Sequence, residues 1–190
     1  LQIGETAPQE FVFEDTLREG GETLIKDLAA SGIEMHLISG DATAPVRALA
    51  QNLGLLNWTA NALPADKADY INDLKAKGAH VLMVGDGLND TAALSTANVS
   101  ISPASALDAA RVASDIVLLG NTLAPISGAI DVARKATSRI KENFQIATLY
   151  NIIAVPFAIA GLATPLIAAL AMSSSSITVS LNALRLGREK

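Results

Sequence analysis

The stretch Gly85-Asp86-Gly87-Leu88-Asn89-Asp90 directly follows the apolar run Val81-Leu82-Met83-Val84. The run is typical of a buried strand, and the loop behind it supplies two carboxylates and two glycines. Ligands of α/β sheets bind at the carboxyl ends of strands, where glycines let the backbone turn and approach a phosphate closely. Asp86 and Asp90 are therefore candidates to share one Mg²⁺, a hard cation that takes carboxylate and water oxygens. The simpler alternative is a strand-to-helix turn in which Asn89 or Asp90 caps the next helix.

Apolar runs and helical patterns alternate on both sides of this stretch, from residue 11 to residue 120. Strands that alternate with helices predict an α/β fold with a doubly wound parallel sheet covered on both faces. Strands are predicted at 11–13, 33–38, 81–84, 99–101 and 116–119. Helices are predicted at 21–32, 44–53, 65–77 and 104–113, with a short helix after Asp90.

The C-terminal part of the chain predicts a membrane hairpin, because residues 143–184 contain no Asp, Glu, Lys or Arg. About forty apolar residues suffice for two membrane helices of about 20 residues each. Gly161 and Pro165 predict the turn between them. Basic residues flank both ends, so the positive-inside rule places both ends in the cytoplasm. The alternative is a buried hairpin in a soluble protein. The flanking residues are Arg134, Lys135, Arg139 and Lys141 before the stretch, and Arg185, Arg188 and Lys190 after it.

The charge and cysteine content exclude some functions. A net charge of −5 with few basic residues argues against a nucleic-acid surface. The absence of cysteine excludes disulfides and thiolate metal sites within this sequence.

The stretch from Met83 to Leu94 closely resembles the hinge motif of P-type ATPases, membrane pumps that phosphorylate themselves on an aspartate. Three further elements resemble parts of the same active site and occur in the family's order. They are Asp15-Thr16-Leu17-Arg18 at the nucleotide-domain hinge, Ser39-Gly40-Asp41 in place of Thr-Gly-Asp, and the phosphate-binding Lys67 in Pro64-Ala65-Asp66-Lys67.

The resemblance implies a haloacid-dehalogenase-like phosphorylation domain that uses ATP and Mg²⁺. A transferring phosphoryl group carries spread negative charge, so it needs a hydroxyl donor, a cation and a metal nearby. By resemblance the catalytic residues are Ser39, Gly40, Asp41, Lys67 and Asn89. Asp86 and Asp90 hold Mg²⁺, and the cofactor-binding residues are Asp15, Arg18, Gly85 and Gly87.

The family's phosphorylated aspartate lies in the sequence Asp-Lys-Thr-Gly-Thr, which does not occur here. We therefore expect the C-terminal part of a longer pump, inactive alone, whose partners are the N-terminal remainder, the lipid bilayer and a copper chaperone. The expected segments are the end of a nucleotide-binding domain (1–10), part of the phosphorylation domain (11–121), a helical stalk (122–142), two transmembrane helices (143–162 and 165–184) and a cytoplasmic tail (185–190).

Polar residues inside the membrane stretch point to the transported ion. Asn143, Tyr150 and Asn151 share one helical face, and Met172, Ser175 and Ser176 share another. Ordinary helix packing explains such residues equally well from their types alone. Their pattern resembles the last two helices of copper-transporting heavy-metal ATPases, which implies a Cu⁺ path, and a thioether suits Cu(I).

One loop departs from the family's usual pattern. Where most members have a glycine-rich loop, this chain has Pro103-Ala104-Ser105-Ala106-Leu107-Asp108. This loop and the closing stretch from Ser180 to Leu186 resemble bacterial copper pumps that serve cytochrome oxidase assembly. Two alternatives stay open: a haloacid-dehalogenase-like phosphatase with a membrane anchor, and a truncated pump without activity.

Overall fold

The computed structural model describes residues 16–188. The chain divides into two compact units, the first ending at Ile126 and the second beginning at Ser127. The strand predicted at 11–13 lies outside the described residues.

Short parallel strands alternate with helices in the first unit, which confirms the predicted α/β architecture. Strand β1 pairs with β2 in one sheet, while β4 lies between β3 and β5 in another. The strands are β1 (His36–Ile38), β2 (Asn57–Thr59), β3 (Leu82–Val84), β4 (Val99–Pro103) and β5 (Ile116–Leu118). The helices are α1 (Gly21–Ala30), α2 (Thr43–Leu53), α3 (Pro64–Ala76), α4 (Thr91–Thr96) and α5 (Asp108–Ala113), with a 3-10 turn at Leu88–Asp90.

Local sequence explains where the helices begin and end. Helix α2 ends at Gly54, whose φ of 68° is costly for a residue with a Cβ. Helix α3 begins with Pro64 at its first position, and the Asp66 carboxylate accepts a hydrogen bond from the Leu63 amide at 2.8 Å. Leu94 and Ala110 are fully buried and pack in one core cluster. This core fixes α4 and α5 and so positions the loop between β3 and α4.

Three details differ from the sequence prediction. Strand β2 was not predicted, because three residues that include an Asn carry little strand signal. Helix α5 begins at Asp108 rather than at residue 104, because a turn precedes it, with the Ala106 amide bonded to the Pro103 carbonyl at 2.9 Å. Strand β1 is shorter than predicted and covers His36–Ile38.

Two long helices form the second unit. Helix α6 (Pro125–Ile159) runs without a break through the predicted stalk and most of the first predicted membrane helix. The predicted turn follows it, with Gly161 at a φ of 71° and the Thr164 hydroxyl accepting from the Ile167 amide at 3.3 Å. Helix α7 (Pro165–Leu184) has the predicted bounds, and a 3-10 turn follows at Arg185–Arg188.

Among residues 16–188, one helix is long and apolar enough to cross a membrane, the segment Pro165–Gly187 with a mean hydropathy of 1.4. The second half of α6 is more polar, since it contains Asn143, Gln145 and Asn151, and Pro156 lies inside it. A first membrane span in α6 therefore stays a prediction.

Candidate phosphoryl-transfer site and membrane polar residues

Lys67 and Asp90 form a nearly buried ion pair. Lys67 Nζ donates to Asp90 Oδ1 at 2.7 Å, and the two side chains are only 10% and 13% exposed. Lys67 comes from α3, whereas Asp90 ends the 3-10 turn after β3. Charges removed from water in this way need a partner. The pair therefore holds the Lys67 ammonium group of α3 beside the loop that follows β3.

Asp90 also shapes the loop itself. Its Oδ2 accepts from the Gly87 amide at 3.2 Å. A Cβ on Gly85 would lie 2.8 Å from the Asp90 Cβ, so only glycine leaves room for this side chain. The Gly85 and Gly87 backbones do not have positive φ angles. Gly85 thus allows a close approach of the Asp90 side chain, while the predicted approach of this backbone to a phosphate stays a prediction.

Asp86 has a different environment from Asp90. It lies just beyond the carboxyl end of β3 and its side chain is 55% exposed. Arg18 Nη2 donates to its Oδ2 at 2.7 Å, and Arg18 Nη1 donates to the Ser105 hydroxyl at 2.8 Å. From the described residues, Asp86 Oδ1 accepts no hydrogen bond. This oxygen is therefore available to a cation.

The predicted Ser39-Gly40-Asp41 element lies at the carboxyl end of β1. The Ser39 hydroxyl donates to Asp41 Oδ2 at 2.7 Å and accepts from the Asp41 amide at 3.2 Å. The loop after β2 holds this element, with the Ala62 amide donating to the Ser39 carbonyl at 2.9 Å. Asn89 lies exposed in the 3-10 turn, and Asp15 lies outside the described residues.

The donor set fits Mg²⁺ rather than an all-protein metal cage. Among residues 16–188, no three His, Cys, Asp or Glu side chains come together as a metal site. Mg²⁺ commonly binds one or two carboxylates together with waters and substrate phosphates. Asp86 offers one free carboxylate oxygen, whereas both Asp90 oxygens are bonded to Lys67 and Gly87. Asp86 is therefore the better direct ligand of the predicted pair.

The six predicted ion-path residues in the second unit do not share one environment. Asn143, Tyr150 and Ser175 are half-buried, whereas Asn151 and Ser176 are exposed and Met172 is 68% exposed. The Ser175 hydroxyl donates to the Met172 carbonyl at 3.1 Å, within its own helix. The structure does not bring these residues together as a closed site.

A polar cluster that sequence reasoning missed joins α6 to α7. Asn182 is buried and donates from Nδ2 to Asn143 Oδ1 at 2.9 Å. Arg139 donates to both Glu142 carboxylate oxygens at 3.0 Å and 2.9 Å. Hydrogen bonds from Arg139 and then from Asn182 lower the pKa of the Glu142 carboxyl. The signal in the sequence is Asn182 itself, the one side-chain amide in α7.

Known proteins are similar to this chain in sequence and in fold. Residues 3–98 match the haloacid dehalogenase-like hydrolase family. Nitrogen fixation protein FixI of Bradyrhizobium diazoefficiens is 48% identical over 89% of this chain, and a copper-transporting ATPase of Helicobacter felis is 40% identical over 92%. The chain spans 23% and 25% of the length of these relatives.

A solved structure extends the similarity across both units. A zinc-transporting PIB-type ATPase in its E2.Pi state is 34% identical, with a TM-score of 0.86 over 91% of this chain and 28% of its own. The resemblance predicted from the hinge motif is thereby confirmed. The chain belongs to the haloacid dehalogenase-like hydrolase family, on the branch of the heavy-metal P-type ATPases.

Proposed function

We propose that this chain is the C-terminal part of an ATP-driven heavy-metal pump, and that Cu⁺ is the ion transported. The observation that carries the proposal is the arrangement at the carboxyl end of β3. There the exposed carboxylate Asp86 lies four residues before Asp90, which forms a nearly buried ion pair with Lys67. This arrangement supplies a cation ligand and a positive charge for a phosphoryl group.

The candidate site residues of the first unit have distinct proposed roles in this reaction. Asp86 would hold Mg²⁺, which when bound neutralises charge on the phosphoryl oxygens. Lys67 supplies a fixed positive charge whose position Asp90 determines. The Ser39 hydroxyl donates to Asp41 in this structure. To bind a phosphoryl oxygen, it would turn its one hydrogen from Asp41 to that oxygen. Arg18 and the predicted Asp15 belong to the hinge toward the ATP-binding part of the pump.

The sheet topology supports a nucleophile on another segment of the pump. Within the described residues, β1 pairs with β2 alone and β3 pairs with β4 alone. Each sheet therefore presents an edge that can accept a further parallel strand. The phosphorylated aspartate is proposed to lie on such a strand, outside this chain.

Copper is favoured over a harder ion by the chemistry of the second unit. Met172 offers a soft thioether, and residues 143–184 contain no carboxylate for a divalent ion. Relatives named as copper-transporting ATPases support this assignment. The solved relative is named as zinc-transporting, so the ion needs a direct test.

The membrane arrangement is proposed to be a hairpin with both ends in the cytoplasm. Helix α7 has the length and hydropathy of a membrane span. From residue 143 to Ile159, α6 would extend about 25 Å at the usual helical rise, close to the thickness of the hydrocarbon core. The N-terminal remainder, lipid and a copper chaperone are the proposed partners.

The test uses the complete protein that carries this chain and, separately, the chain alone. With labelled ATP and Cu⁺, the complete protein should form an acid-stable phosphoenzyme, whereas the chain alone should form none. Hydrolysis of small phosphate esters that does not depend on Cu⁺ or another transported metal ion would favour a membrane-anchored phosphatase. Stimulation by Zn²⁺ rather than Cu⁺ would overturn the copper assignment and keep the pump.

A further inference from the structure

Ser105 contacts the candidate metal carboxylate through Arg18. Arg18 lies before α1, and its two terminal nitrogens bond the Ser105 hydroxyl at 2.8 Å and Asp86 Oδ2 at 2.7 Å. A guanidinium is a planar fork, so fixing one nitrogen fixes the direction of the other. The hydroxyl of Ser105 therefore determines where Arg18 holds Asp86.

The turn that contains Ser105 also holds the backbone of Asp86. The Leu107 amide donates to the Asp86 carbonyl at 3.2 Å. This turn thus contacts Asp86 directly through its main chain and indirectly through its one hydroxyl. It is also the loop in which the sequence departs from the family's usual glycine-rich pattern, and it offers Arg18 the hydroxyl of Ser105.

We propose that Ser105 is a positioning residue for the phosphoryl-transfer site, which orients Asp86 toward Mg²⁺ through Arg18. The proposal rests on the proposed function, because it assigns Asp86 to the metal. With Oδ2 held by Arg18, Oδ1 is the oxygen that faces a cation. The rotation of a carboxylate held in this way is already restricted, so binding the ion costs less conformational entropy.

A competing effect of Arg18 would have the opposite sign. The positive charge of Arg18 beside Asp86 weakens the attraction for a cation, and if this effect dominated, loosening Arg18 would strengthen metal binding. Ser105→Ala separates the two effects, because it leaves every charge in place. Orientation predicts weaker binding in this variant, and competition predicts tighter binding.

The experiment measures Mn²⁺ binding to the complete protein by electron paramagnetic resonance, with inorganic phosphate present and no ATP. Ser105→Ala should raise the Kd for Mn²⁺ about tenfold, the scale of losing a group that orients a metal ligand. Ser105→Thr should restore binding, because it keeps the hydroxyl. Ser95→Ala, an exposed serine in α4, serves as the matched control.

A second variant tests the same contact from the Arg18 side, so that the conclusion does not depend on the folding of Ser105→Ala alone. Arg18→Lys keeps the charge but loses the fork, so it should weaken Mn²⁺ binding as Ser105→Ala does. An unchanged or lower Kd in both variants would overturn the proposal. The phosphoenzyme assay with ATP and Cu⁺ tests the proposed function independently, so a failure of one is distinguishable from a failure of the other.

Discussion

The two units use polar side chains in opposite ways. In the first unit, Lys67 and Asp90 face each other with side chains that are 10% and 13% exposed. In the second unit, Met172 is 68% exposed and Asn151 is exposed. The proposed phosphoryl-transfer residues Lys67 and Asp90 are thus positioned by a contact within this chain. Asn143 has a partner in Asn182. The exposed ion-path residues would need neighbouring helices in the proposed membrane arrangement, because polar groups in a membrane must face protein or water.

The contrast predicts different outcomes for substitutions in each unit. A change in the first unit should act through contacts that are visible in this structure. A change in the second should act on the proposed transport and leave the proposed chemistry of the first unit intact.

The largest effect is expected from Asp86→Asn in the complete pump. The substitution removes the charge that would hold Mg²⁺, so turnover should fall at least about 100-fold, the scale of losing one preorganised electrostatic stabiliser. ATPase activity as a function of Mg²⁺ concentration measures it. Asp108→Asn is the matched control, because the Asp108 side chain is 97% exposed. Normal activity in Asp86→Asn would reduce the loop to a structural turn.

The second prediction concerns the stability of the first unit. Lys67→Met or Asp90→Asn leaves one member of a buried pair behind, which should cost about 3–5 kcal/mol of unfolding free energy. The double variant should cost less than the sum of the two, because no unpaired charge remains. Denaturant unfolding of the complete protein, monitored by a probe in the first unit, measures the double-mutant cycle. Additive costs would show that the two groups do not interact.

The third prediction addresses the ion path in the second unit. Met172→Leu keeps the side-chain volume but deletes the soft sulfur, so Cu⁺-stimulated ATPase activity should fall about tenfold. Phosphorylation by inorganic phosphate should stay normal, since it depends on the first unit. Ile177→Leu, also in α7, is the matched control. Full Cu⁺ stimulation in Met172→Leu would assign the methionine to packing.

The smallest effect is a pH dependence at the polar cluster of the second unit. The pKa of Glu142 is lowered in the folded protein, chiefly by the Arg139 hydrogen bond. Its stabilising contribution is therefore complete above the ordinary glutamate pKa and is lost as the pH falls below it. The Tm of the complete protein should decline slightly as the pH falls from about 5 to below about 4, and Glu142→Gln should remove that part of the decline. An identical decline in both proteins would exclude Glu142 as its source.

Much of the fold and of the first site follows from sequence, because the signals are local. The run before Gly85 specifies β3, and glycines or a proline mark the ends of α2 and α3. Strand β2 was not predicted, because it forms by pairing with β1. The paired residues His36 and Asn57 are 21 positions apart in the sequence. Long-range pairing of this kind leaves little trace in three residues.

The contacts of the site residues were less predictable than their identities. Motif order predicted Lys67 and Asp90 as site residues, yet not that they bond each other. Ser105 was part of a loop that differs from the family, but its contact with Arg18 spans 87 residues of sequence. In the sequence, Asn182 is recognisable only as the one side-chain amide in α7. A contact between two single side chains leaves no repeating pattern in the sequence, so it cannot be predicted from hydrophobic periodicity.

Pro156 gives α6 a preferred rotation about its own axis. Proline has no amide hydrogen, so the Ile152 carbonyl lacks the donor that a regular helix would supply. Inside a bilayer, such a carbonyl must find a donor from a neighbouring helix or from water. In the proposed membrane arrangement, the side of α6 that carries Ile152 and Pro156 would therefore face protein or an aqueous cavity, and lipid would contact the opposite side.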